Sequence, residues 1–287
     1  MTGIALYVVL LQTSTKNEVK IEVKGEYRFI TSNGMPDHKT GQFPGNGNPN
    51  AISPQKYNFR VPANPVVAEK TTVLQMQDFG VAVNGVPFDP GTAEWWNNDR
   101  SSGWHWEGVI NGVKYLGIDL NNAHVQPTGA YHYHAIPIDL MKRLGGDGTN
   151  MVLIGWAADG FPMYGTFGYT DPRNPKSGVK TLKSSYRLKP GTRQGGSNGP
   201  GGVHDGSFEQ DWNYVKGSGD LDECNGRFGV TPEFPKGTYY YVVSDAYPWI
   251  PRQYRGTMDN SFRRGPGARG GRPGGPPPGG GSGGGGN

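Results

Sequence analysis

Val19-Lys20-Ile21-Glu22-Val23-Lys24 alternates apolar and charged side chains without a break. Successive strand residues point to opposite faces, so this period predicts a β-strand with one face buried. Downstream, Phe79, Val81 and Val83 repeat the alternation and run into Asn84-Gly85. A second Asn-Gly, Asn111-Gly112, separates Gly108-Val109-Ile110 from Val113-Lys114-Tyr115-Leu116. Asn-Gly between apolar runs predicts a tight hairpin, because both turn residues need positive φ. Pro87 has no N–H to donate, which confines the return strand of the first hairpin to a sheet edge. Val152-Leu153-Ile154-Gly155-Trp156-Ala157 and Tyr239-Tyr240-Tyr241-Val242-Val243 read as buried strands.

Helical signal is sparse. Pro137 precedes Ile138-Asp139-Leu140-Met141-Lys142-Arg143-Leu144, and Gly145 follows, the punctuation of one short helix. Residues 93–97 offer one further turn. Residues 32–54 and 171–202 are rich in Gly, Pro, Asn and Ser and read as long loops. No fixed-period repeat is present. The fold class expected is mainly β, a single β-sandwich or barrel-like domain with long loops and one or two short helices.

Gly and Pro make up 72 of the 287 residues, yet aromatics reach 11%. Disordered chains lack that much apolar surface. Residues 263–287 account for the conflict, with 13 Gly, 5 Pro, four Arg and no acid. The expected organisation is an N-terminal apolar segment over 1–17, a β domain over 18–262 and a disordered Gly/Pro/Arg tail over 263–287. Residues 1–262 carry 24 basic and 24 acidic side chains, so the net charge of +4 belongs to the tail. The folded domain therefore shows no bias towards nucleic acid. No apolar run approaches 18 residues, so no transmembrane helix is expected. The run Ile4-Ala5-Leu6-Tyr7-Val8-Val9-Leu10-Leu11 reads as a truncated export signal, a retained anchor or a first strand. Cys224 is the only cysteine, which fits a reducing compartment or a secreted protein without disulfides.

Six histidines are present, and the densest group is His124, then His132-Tyr133-His134. On a strand, His132 and His134 share one face and Tyr131 and Tyr133 the other. Two neighbouring imidazoles with a third close by form much of a site for copper or zinc, for which histidine is the commonest ligand. His38, His105, His204 or the Cys224 thiolate could complete the shell. The alternative for the same residues is a hydrogen-bonded network in an aromatic core.

Tyr131-His132-Tyr133-His134 and its flanks resemble the YHYH-domain family. The resemblance extends through Asn33-Gly34-Met35-Pro36-Asp37-His38, Asn121-Asn122-Ala123-His124, Ala158-Asp159-Gly160-Phe161-Pro162, His204-Asp205-Gly206-Ser207-Phe208 and Asp222-Glu223-Cys224-Asn225-Gly226, over roughly residues 30–255. It implies an extracytoplasmic protein, secreted or of the cell envelope, and names no reaction, so it does not decide whether the protein is an enzyme.

Other features carry weaker chemistry. Asp220 and Asp222 have the spacing of the first two ligands of a calcium loop, but Cys224 follows and Thr231 stands at the twelfth position. A turn whose Asp and Asn side chains hold backbone amides is the plainer reading. Cys224 with His204 or His132 as base would make a nucleophile, without any recognised signature around it. Trp95, Trp96, Trp104 and Trp106 offer an aromatic surface. They support the second function expected, a non-catalytic envelope or matrix module that binds glycan or protein, with the His/Tyr cluster structural. Arg269-Gly270-Gly271-Arg272 in the tail resembles an RNA-binding pattern, though a flexible spacer is the simpler reading.

Overall fold

A computed structural model describes residues 16–45, 47–110 and 116–263. The apolar run at 4–11, the turn Asn111-Gly112 and the tail beyond 263 lie outside the described residues.

The chain begins with an antiparallel meander of β1 (Val19–Lys24), β2 (Tyr27–Ser32) and β3 (Tyr57–Pro62). Ile30, Phe59 and Val61 turn inward and pack into the main core. The opening strand forms as expected, but its apolar face is not buried: Ile21 is 37% and Val23 56% exposed. β1 is an edge strand of the meander, and of its apolar side chains only Val19, half-buried, packs against the core.

The second layer is an eight-stranded mixed sheet. Its strands, in chain order, are β5 (Gly80–Ala82), β6 (Pro87–Phe88), β7 (Ala123–Val125), β8 (Tyr131–Tyr133), β9 (Leu153–Ala157), β10 (Pro162–Tyr164), β15 (Gly226–Gly229) and β16 (Thr238–Val242). They lie in the order β15-β16-β10-β9-β5-β6-β8-β7, so β15 and β7 are its edges and the sheet stays open. The protein is a mainly β, sandwich-like fold and not a closed barrel. Phe79, Val81, Phe88, Tyr133, Trp156 and Tyr241 belong to the same buried core cluster as Ile30, Phe59 and Val61 of the meander. Between and around these, β4 (Thr72–Val73), β11 (Phe167–Tyr169), β12 (Val179–Thr181), β13 (Tyr186–Leu188), β14 (Trp212–Tyr214) and β17 (Gln253–Tyr254) form two-stranded ribbons. The stretch 171–202 is thus not one loop, since β12 and β13 lie within it.

Asn84-Gly85 turns between β5 and β6 as expected, though only Gly85 takes a positive φ, and β6 is not an edge. It pairs with β5 on one side and runs parallel to β8 on the other. Pro87 fits because it stands first in its strand. The surrounding bonds use the carbonyls of Val86 and Phe88 and the N–H of Asp89. Gly108, Val109 and Ile110 form a bend and turn, so the first arm of the second expected hairpin is no strand. The helix α1 covers Ile138–Arg143 and buries Leu140 and Met141, with Gly145 at φ 81° just beyond it. A 3-10 turn at Trp96–Asn98 stands where the second helical turn is expected. Among the described residues, no helix is long and apolar enough to cross a membrane.

Candidate metal centre

β7 and β8 are joined by Gln126-Pro127-Thr128-Gly129-Ala130, and the turn sets their register. Gly129 donates to the Gln126 carbonyl at 2.8 Å with φ 84°, a conformation that a side chain would strain. A Cβ there would also lie 1.9 Å from Ser53 Oγ. The turn places His124 directly opposite His132, and Ala123 and Val125 opposite Tyr133 and Tyr131. The side-chain period of two then puts His124, His132 and His134 on one face and the tyrosines on the other.

The three imidazoles converge. Ring centroids are 4.6 Å apart for His124–His132, 4.7 Å for His124–His134 and 4.8 Å for His132–His134. One nitrogen from each lies within 4.8 Å of the others. The Nε2 atoms of His132 and His134 are 3.0 Å apart, and both residues are buried. His124 Nδ1 sits 3.1 Å from the Leu116 carbonyl and His132 Nδ1 3.2 Å from the Ala130 carbonyl. A carbonyl only accepts, so both Nδ1 atoms carry the hydrogen and both Nε2 atoms keep a lone pair. Fixing the tautomer through the far nitrogen is how metal-binding imidazoles are oriented. Burial holds the His124 pKa below the usual imidazole range, against the opposing pull of the Leu116 carbonyl and of Asp89. The ring is therefore neutral, the form that binds metal. Bonds of 2.0–2.1 Å at tetrahedral angles would need nitrogens about 3.3 Å apart; the His132–His134 pair stands at 3.0 Å, and a His124 nitrogen lies within 4.8 Å of both rings' ligand atoms.

Two further residues bound this pocket. Gly108 approaches so closely that a Cβ on it would be 2.9 Å from Thr92 Cγ2 and 3.2 Å from His134 Nδ1. Asp89 is buried on the histidine face: its neighbour Phe88 pairs with Tyr133, and Gln126 Nε2 donates to Asp89 Oδ2 at 3.3 Å. Neither residue was marked by the sequence, because the β6–β8 pairing that brings Asp89 here joins segments about 45 residues apart.

The other sequence candidates lie elsewhere. His38 is on the tyrosine side, with Nε2 2.6 Å from the Tyr133 hydroxyl and Nδ1 2.8 Å from the Lys39 carbonyl. His105 is committed to a second buried network, with Nδ1 3.1 Å from Glu209 Oε1 and Nε2 3.0 Å from the Thr92 carbonyl. Within that network Arg252 bonds both Glu107 and Glu209. Burial pushes the Glu107 carboxyl up. Burial acts on Glu209 in the same sense, but Arg252 and His105 outweigh it and hold that carboxyl below its usual range. His204 and Cys224 do not join the converging nitrogens. Cys224 is fully buried, and burial together with Asp222 and Glu223 pushes its thiol well up, away from the thiolate a nucleophile or ligand needs.

The segment around Cys224 is a turn. Asp222 Oδ1 accepts from the Cys224 and Gly226 amides at 3.0 Å each, and Asp220 pairs with Lys180. Those acids do not converge on a common point, so the calcium reading finds no support in the geometry.

A family model described as YHYH protein matches residues 58–256, which includes the whole histidine cluster. The motif at 33–38 lies outside that match. No curated protein and no solved structure matches the chain. The match spans well over half of the sequence, and the chain belongs to the YHYH protein family.

Proposed function

We propose that His124, His132 and His134 hold a transition metal ion, copper or zinc, in an extracytoplasmic β domain. The observation that carries this reading is the convergence of three ligand nitrogens within 4.8 Å on one sheet face, with His132 and His134 buried and His124 half-buried. Two rings already have their far nitrogens tied to backbone carbonyls. Neutral nitrogen donors suit both metals, and no thiolate or carboxylate shares the point of convergence. Three protein ligands leave one position for water or substrate, the arrangement of catalytic rather than structural zinc. A bound ion would supply Lewis-acid chemistry there, or redox chemistry if it is copper. Asp89 would place negative charge beside the site and offset part of the ion's burial. The extracytoplasmic location rests on the family resemblance and is checked by cell fractionation.

The test is the metal content of protein purified without chelator, beside a His132→Ala/His134→Ala variant. Near-stoichiometric copper or zinc in the parent, and little in the variant, is expected. Equal and negligible metal in both would end the proposal.

A further inference from the structure

The four clustered tryptophans are not equivalent. Trp95 stacks on His105 at 4.2 Å, while Trp104 and Trp106 pack on Phe208 at 5.6 and 4.2 Å. Trp96 has no ring partner among the described residues. It lines instead a groove of about 640 Å³ between residues 96–102 and 194–198, within the range of small-ligand sites.

The other lining groups are neutral and polar, with a single acid. Asn97, Gln194 and Asn198 bring amides, and Ser101, Ser102 and Ser197 bring hydroxyls. Asp99 is the one charge, and its Oδ1 is occupied by the Ser101 amide and hydroxyl at 2.8 and 2.7 Å. No lysine or arginine lines the groove.

Both walls are held in place. Asn97 and Asn98 take φ 56°, sparsely populated for any residue but glycine and most tolerable for asparagine. The Trp104 indole N–H donates to the Asn198 carbonyl at 3.3 Å and ties one wall to the other. Behind the second wall, Arg193 is locked to the buried Asp211 through Nε at 2.7 Å and Nη2 at 2.6 Å.

We propose that this groove binds a neutral oligosaccharide, with Trp96 as the stacking face. A sugar ring offers a C–H face to an aromatic plane and a rim of hydroxyls to amides and serines. An apolar ligand would leave those amides and serines unpaired. A polyanion would meet the Asp99 carboxylate and no lysine or arginine among the lining side chains. The walls are fixed beforehand, so little ordering cost opposes binding. The site is separate from the histidine cluster and does not depend on a metal there.

The test is affinity electrophoresis and pull-down of the full chain on cellulose, chitin, xylan and starch, with heparin and oligo-dT as polyanion comparisons. Working in EDTA keeps the outcome independent of the metal reading. Retention on at least one neutral polysaccharide is expected, weakened about tenfold or more by Trp96→Ala, the scale of a lost aromatic anchor. Trp96→Tyr should keep most of it, Gln194→Ala should reduce it, and Leu120→Ala, a remote exposed position, should leave it unchanged. Retention on none of the four, retention that survives Trp96→Ala, or capture by heparin or oligo-dT alone would overturn the proposal.

Discussion

The Nε2 atoms of His132 and His134 stand 3.0 Å apart between two buried rings. Because the Ala130 carbonyl keeps the hydrogen on His132 Nδ1, the hydrogen between the rings belongs to His134. A metal ion would take the place of that hydrogen. Ligand that binds only the folded state raises stability by mass action, about 2.7 kcal/mol at a hundredfold excess over Kd. Thermal unfolding of the chelator-treated protein should therefore move up on adding zinc. His132→Ala should show no such shift, and an equal shift in both would place the metal elsewhere.

Arg252 is the only cation touching both Glu107 and Glu209 among the described residues. Glu107 is also held by the Val109 and Ile110 amides at 2.7 and 2.9 Å, so it cannot swing out to water. Removing one partner of a buried pair typically costs about 3–5 kcal/mol. Arg252→Ala should lose stability of that order in urea unfolding. A loss below about 1 kcal/mol, the value of a surface pair, would contradict the burial described.

Asp159 is buried and accepts from the Tyr241 hydroxyl at 2.5 Å and the Gly256 amide at 2.8 Å. Burial nevertheless raises its pKa to about 6. The folded value lies above the unfolded one, near ~3.9, so protonated Asp159 favours the fold. That contribution is complete below about pH 4 and is lost as pH rises through about 6, an amplitude of about 3 kcal/mol. Asp159→Asn should flatten the pH dependence of unfolding in this window. Identical pH slopes for parent and variant would refute the assignment.

Cys224 is enclosed, with its thiol pushed away from ionisation. Iodoacetamide at pH 8 should leave the native protein unmodified and label it after unfolding in urea, read by intact mass. Cys224→Ser should keep the metal content of the parent. Rapid labelling of the folded protein would return the thiol to consideration as a nucleophile.

What the sequence made legible was local. Tyr131–His134 predicts which face each side chain takes, because the period of two needs no knowledge of neighbours. Asn84-Gly85 and Pro137 through Gly145 are likewise short-range signals, and each element stands where it was read. The misses needed partners distant in sequence. Pro87 points to an edge until β8 is known to pair beside it, and Val23 reads as buried until β1 is known to be outermost. For the same reason the sequence alone offers His38 and Cys224 as ligands beside His124, His132 and His134. Sequence spacing could not show that His38 lies across the sheet against Tyr133, or that Asp89 takes its place on the histidine face.

The most direct test is a stoichiometric titration of the chelator-treated protein with copper and with zinc against a competing chromophoric chelator. His124→Ala, His132→Ala and His134→Ala are measured singly, and each fold is checked by near-ultraviolet circular dichroism. One equivalent bound by the parent, and a large loss of affinity in each folded variant, is the expected result. No competition by the parent, or affinity unchanged in all three variants, would contradict a metal centre at these histidines.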